Sequence, residues 1–196
     1  IIADKVPYYG AVNLLLGEIY YNDKSFQKAA DYFDKTLTYG FLDREMRFSS
    51  YLKLASCYFS TRSYAKAEEA AGEALKIKAT DRDALMLMSA IDIKLDHHDD
   101  ALRTLTKLQA VDPDNMDVIY QIGSIHYKQQ NTAKYTKSFE QLHSLSTKGG
   151  AQVPQKYCKA MQILIKSYAA SGAHEKTAAV FATLPGRWLR VLECLA

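Results

Sequence analysis

Five consecutive residues, Asp96-His97-His98-Asp99-Asp100, place two imidazoles among three carboxylates, and these are the ligand types of a divalent cation site. Adjacent side chains on one turn rarely converge on a single ion, and no second cluster stands at a fixed spacing from this one. The segment therefore reads as a solvated polar turn. Cys57, Cys158 and Cys194 are odd in number and widely separated, with no CxxC pair. They suggest neither a disulfide framework nor a thiolate metal site, and they fit a reducing compartment in which each is a small buried hydrophobe. There is no Gly-rich phosphate loop, no HExxH and no GxSxG. The expectation is a chain that is not an enzyme and that carries neither a cofactor nor a metal.

Composition narrows the classes further. In 196 residues, 48% are hydrophobic and 24% charged, the ordinary globular balance. The net charge of +3 comes from lysines such as Lys24, Lys53, Lys66, Lys107 and Lys137 that interleave with acids, so no helix face collects them and no nucleic-acid partner is expected. No apolar run approaches the roughly 20 residues of a membrane span, and no membrane partner is expected. Only 4 prolines and 9 glycines are few for an all-β chain of many turns. No signal peptide is visible and the chain begins at Ile1, so a fragment of a longer cytoplasmic or nuclear protein is expected.

The positioning elements emerge from periodicity. Leu15, Leu16, Ile19 and Tyr20 form one helical stripe, Asn22-Asp23-Lys24-Ser25 breaks it, and Phe26, Ala29, Ala30, Phe33 and Leu37 form a second stripe. The same phase returns along the chain. The step from Ala67 to Ala101 is 34 residues, and a second such step reaches Tyr135, with Phe139 following. Leu16-Gly17 then Tyr20, Leu54-Ala55 then Tyr58, Ile122-Gly123 then His126, and Leu164-Ile165 then Tyr168 share one frame.

This pattern resembles the tetratricopeptide (TPR) repeat, W-x₂-L-G-x₂-Y…A-x₃-F…P, with Pro113 where the pattern ends. Five repeats fall at 10–43, 48–81, 82–115, 116–149 and 158–191, with 192–196 ending a terminal helix. The resemblance implies an all-α, right-handed α-solenoid of about ten helices in antiparallel pairs, a single solenoid over 1–196. Asp92 and His126 depart from the pattern, because both replace the aromatic kept by Tyr20, Tyr58 and Tyr168. A buried carboxylate needs a partner. Water, a neighbouring Lys or His, a functional role or a catalytic Asp–His pair are the readings open for Asp92. Tyr135 stands where a small residue is expected at a tight helix contact. Residues 144–154, with Gly149-Gly150 and Pro154, read as a flexible joint. Trp188, Val191, Leu192 and Leu195 share one face of a terminal segment that would cap the stack or self-associate.

In the TPR family the first helix of each repeat lines a concave groove where partner peptides lie. On this chain the resemblance places Leu14, Leu52, Met86 and Tyr120 in one row and Tyr21, Phe59, Ile93 and Tyr127 in the next. Both rows are apolar or aromatic and lie outside the stripes used to pair the helices, and such a surface suits an amphipathic helix or an extended peptide. Lys159, Gln162 and Lys166 offer a place for an acidic end of that guest. A chaperone-binding TPR subclass grips a C-terminal carboxylate with paired cations and amides. Here the matching positions in the first window are Leu14, Glu18, Lys53, Asp83 and Leu87, and no window supplies the clamp. The expected function is a non-catalytic scaffold or adaptor within a multiprotein assembly. A co-chaperone module and a regulatory segment of a larger enzyme are the alternatives.

Overall fold

The computed structural model describes residues 6–39 and 42–186. Among the described residues there are ten α-helices and no strand: α1 (Val6–Asn22), α2 (Phe26–Tyr39), α3 (Arg44–Ser60), α4 (Tyr64–Ile77), α5 (Arg82–Lys94), α6 (His98–Val111), α7 (Met116–Lys128), α8 (Thr132–Ser146), α9 (Cys158–Ala170) and α10 (His174–Ala182). The terminal face of Trp188, Val191, Leu192 and Leu195 lies outside the described residues, as does Cys194.

Short polar side chains start the first helix of successive pairs. Asp43 accepts from the Met46 N–H at 2.7 Å, Asp81 from Ala84 at 3.0 Å, and Asn115 from Asp117 and Val118 at 3.1 and 3.2 Å. Each satisfies donors that the helix itself cannot. The extra residues between the first two repeats lengthen α3, which has 17 residues against 13 in α5 and α7.

The turn inside each pair repeats one geometry. Lys24, Arg62, Asp96, Gln130 and Gly172 all have positive φ, between 56° and 73°. The residue after each returns its N–H to a carbonyl five positions earlier: Ser25 to Tyr20, Ser63 to Tyr58, His97 to Asp92, Asn131 to His126 and Ala173 to Tyr168, all at 2.8–2.9 Å. This is the Schellman closure of a helix C-terminus. It leaves room for only a few residues before the second helix begins, so consecutive helices form hairpins.

The chain divides into two compact units, residues 1–104 and 105–196, with the division inside α6. In the first unit, fully buried Ala29, Ala55, Ala67 and Ala71 let helices approach closely around Phe33, Leu54 and Cys57. In the second, Ile119, Phe139, Leu142, Tyr157, Met161 and Leu164 form the core. Glycine fits against phenylalanine at two equivalent places. A Cβ on Gly17 would stand 2.8 Å from the Phe33 ring, and one on Gly123 would stand 2.3 Å from that of Phe139.

Residues 144–154, expected to form a joint, are fastened near both ends. Ser146 and Val153 are buried, Val153 donates its N–H to the Thr183 carbonyl at 3.0 Å, and Tyr157 follows it into the core. Tyr135 packs its ring edge-on to Tyr127 and tilted against Phe139, so its bulk is absorbed beside the helix contact.

Gly123→Ala should destabilise the fold by about 1–3 kcal/mol, because Phe139 has no room to retreat. In the Phe139→Leu background the same change should cost much less, giving a coupling that denaturant midpoints of the four-protein cycle would measure.

Candidate functional site

The expected ladder residues all lie on the first helix of their pair. In the first unit Leu14 and Tyr21 lie on α1, Leu52 and Phe59 on α3, and Met86 and Ile93 on α5, each half-buried. They are not independent of helix pairing. Tyr21 meets Phe26 and Phe33 edge-on at ring-centre distances of 5.7 and 6.4 Å, and Phe59 meets Tyr64 at 5.6 Å. Leu14 packs on the core of this unit, and Leu52 packs against the cluster of Phe48, Ala74 and Ala84. The rows thus share their inner edges with the pairing stripe, contrary to the expectation that they stand outside it. The reason lies in the turn. Tyr21, Phe59 and Tyr127 supply the carbonyls that accept from Lys24, Arg62 and Gln130, so their side chains lie beside the start of the second helix. Lys53, at one position where the clamp would need a polar group, forms an ion pair with Glu18 on α1 instead.

In the second unit Tyr120 is half-buried against Phe139 and Tyr157, and Tyr127 is 46% exposed with its ring edge-on to Tyr135 at 5.4 Å. Tyr127 opens onto a cleft of about 460 Å³ lined also by Thr132, Tyr135, Ile163, Lys166, Ser167, Ala170 and Ser171. The structure brings Tyr127 and Lys166 together there, with Thr136 and Ser167 hydroxyls 3.1 Å apart between α8 and α9. Lys159 is exposed on α9 but does not line the cleft. Tyr135 and Ile163 were not anticipated as lining. Ile163 stands three residues before Lys166, a helical spacing that identifies it once Lys166 is placed. Tyr135 reaches the cleft only through the turn at Gln130.

A second cleft, of about 500 Å³, lies between α2, α3 and α4 and was not anticipated at all. Asp34, Lys66, Glu69 and Glu73 line it with Tyr51 and Tyr58. The Tyr58 phenol donates to Asp34 at 3.4 Å, and the Lys66 ammonium lies 5.6 Å above the same ring. Burial, then the Asp34 charge, raises the Tyr58 pKa and keeps the phenol a proton donor.

The two departures at the aromatic position differ in fate. His126 is half-buried with Nδ1 3.2 Å from the Gln129 amide oxygen on its own helix end. Asp92 is only 3% exposed and no hydrogen bond reaches its carboxylate among the described residues. Burial, followed by the charges of Glu68 and Asp100 and opposed by His97 and Arg103, raises its pKa from 3.8 to about 6. A carboxyl whose folded pKa is raised binds its proton more tightly when folded, so stability is greatest below the unfolded value and falls as pH rises from about 4 to about 6. Asp92→Asn should remove that part of the slope, as urea midpoints across pH 3.5–7 would show.

Cys57 is buried, which pushes its thiol up to about 12, and Cys158 is buried as well, so both are structural. No helix among the described residues is long and apolar enough to cross a membrane.

The family model described as tetratricopeptide repeat matches residues 48–81, the α3–α4 pair. No curated protein sequence is matched. Solved structures are similar over most of the chain. MamA protein superposes with a TM-score of 0.72 at 16% identity, covering 89% of each chain. MamA from Desulfovibrio magneticus RS-1 gives 0.70 at 16% identity, covering 89% of this chain and 92% of that one. YrrB, a TPR protein with an unusual peptide-binding site, gives 0.66 at 14% identity, covering 87% and 82%. At these identities the likeness is one of fold, and it is that of a helical solenoid.

Proposed function

We propose that the chain is a member of the tetratricopeptide-repeat superfamily, on the match over residues 48–81 and the shared fold, and that it is a non-catalytic scaffold or adaptor that holds a helix or extended peptide of a partner protein on its first-helix rows. In the first unit the contact residues are Leu14, Tyr21, Leu52, Phe59, Met86 and Ile93. In the second they are Tyr120 and Tyr127, with Lys159 and Lys166 receiving acidic groups of the guest. One observation carries the reading: Tyr127, 46% exposed on α7, opens with Tyr135 and Ile163 onto a cleft that has Lys166 on its wall. An apolar cleft with one placed cation suits a peptide that alternates an aromatic or aliphatic anchor with an acid. That YrrB, a protein of the same fold, has a peptide-binding site supports the assignment.

The test is capture of the partner by the whole chain, followed by affinity measurement on variants. Tyr127→Ala should weaken binding by about 1–3 kcal/mol, as the loss of an aromatic anchor does, while costing no more than about 1.5 kcal/mol of stability for its single edge-on ring contact. Lys166→Glu should weaken binding further at low salt than at high salt. Normal affinity in both variants, with the fold intact, would place the partner on another surface.

A further inference from the structure

The turn of the third pair brings two ligand-bearing side chains five residues apart, Asp92 and His97, together with Glu68 from the preceding helix. Glu68 is on α4, Asp92 on α5, and His97 between α5 and α6, all within the first unit. One ligand atom from each lies within 4.8 Å of the other two, and His97 Nδ1 stands 3.3 Å from Glu68 Oε1. Zinc bonds to nitrogen and oxygen of about 2.0–2.1 Å at tetrahedral angles separate neighbouring ligands by about 3.4 Å. One edge of the site thus has the required length, and modest side-chain rotation closes the others. We propose that Glu68, Asp92 and His97 bind one zinc-class divalent cation, with solvent completing the coordination.

Two further observations point the same way. First, Asp92 is 3% exposed, and its carboxylate has no hydrogen-bond donor among the described residues. The facing groups are Glu68 and Asp100 on the acidic side and His97 and Arg103 on the basic side, and Arg103 is held in an ion pair with Asp100. Second, the equivalent places of two other repeats show what this one lacks. The Tyr58 phenol donates to Asp34 at 3.4 Å, and the Tyr168 phenol to Glu140 at 2.6 Å, so an acid on the preceding second helix meets a hydroxyl proton. In the third repeat the tyrosine is replaced by Asp92, and Glu68 comes in from the preceding helix. Two carboxylates then meet with no phenol between them, and the ring nitrogen in reach is His97 Nδ1, hydrogen-bonded to Glu68 at 3.3 Å. His97 is fixed there by its own N–H, which bonds the Asp92 carbonyl at 2.9 Å after the positive-φ Asp96. A dication answers the charge of both acids and uses the neutral imidazole as its third ligand.

One imidazole with two carboxylates favours zinc or cobalt over manganese, and manganese over magnesium. The cation would tie α4 to the α5–α6 turn, which stabilises the folded state by mass action.

The test uses the whole chain after chelator treatment, titrated with zinc chloride by calorimetry and by thermal unfolding. We expect one site, a rise in melting temperature with zinc, little or none with magnesium, and weaker binding in acid, where protons compete with the cation for the ligand atoms. His97→Ala, a change at an exposed turn residue, and Glu68→Gln should each weaken zinc binding by at least roughly tenfold, since even outer partners of metal ligands matter that much. His98→Ala and His174→Ala should leave it unchanged. Absence of a zinc-dependent shift in the unaltered chain, or equal zinc affinity in His97→Ala, overturns the proposal. A loss confined to His98→Ala or His174→Ala overturns it too, by moving the site elsewhere. If Asp92→Asn fails to fold, the His97 and Glu68 variants still decide.

Discussion

Each helix pair closes on a backbone hydrogen bond that runs from the residue after a positive-φ position to a carbonyl five residues earlier. That bond does more than end a helix. It fixes which side chain of the first helix stands beside the second, so it places Tyr20, Tyr58, Asp92, His126 and Tyr168 at one site of the repeat and Tyr21, Phe59 and Tyr127 at the next. The cleft beside Tyr127 and the cluster around Asp92 are both products of this closure. Four of the five positive-φ residues are not glycine, and such a conformation costs on the order of 1 kcal/mol each. The packing of the hairpins holds it in place.

Above the turn, size matching sets how near the paired helices come. Where the first helix offers glycine, as at Gly17 and Gly123, the second offers a phenylalanine ring. Where it offers Ala55, the second offers Ala71. The repeats therefore keep one hairpin geometry while exchanging bulk across the seam, so different side chains fit at one position of this chain's repeat.

Much of this was legible in the chain itself. The 34-residue step from Ala67 to Ala101, the break at Asn22–Ser25 and the repeat boundaries at Asp81 and Asn115 all depend on local spacing, and local spacing is what periodicity reports. The side chains that meet across pairs were not legible. Glu68 reaches the neighbourhood of Asp92 and His97 only because α4 packs on α5, and no sequence interval encodes that. The polar turn at 96–100 reads as solvated because its own neighbours cannot converge, whereas the partners of His97 lie in other elements. The rows of Tyr21 and Phe59 were found by their register, but their contacts with Phe26 and Tyr64 follow from the turn geometry, which periodicity does not resolve. The buried Val153 escaped notice because glycines beside it give a loop its composition without saying where its ends are held.

That anchored segment bears on how such a chain can change length. Ser146 and Val153 are both buried, while Lys148, Gly149, Gly150, Ala151 and Gln152 are exposed, and nothing lies near either glycine Cα where a side chain would begin. With both ends fastened, added residues lengthen only a closed surface loop, and each doubling of such a loop costs about 0.6 kcal/mol. The interruption of the 34-residue rhythm before α9 is thus a place where the gene can gain or lose codons without shifting the frame of either neighbouring hairpin.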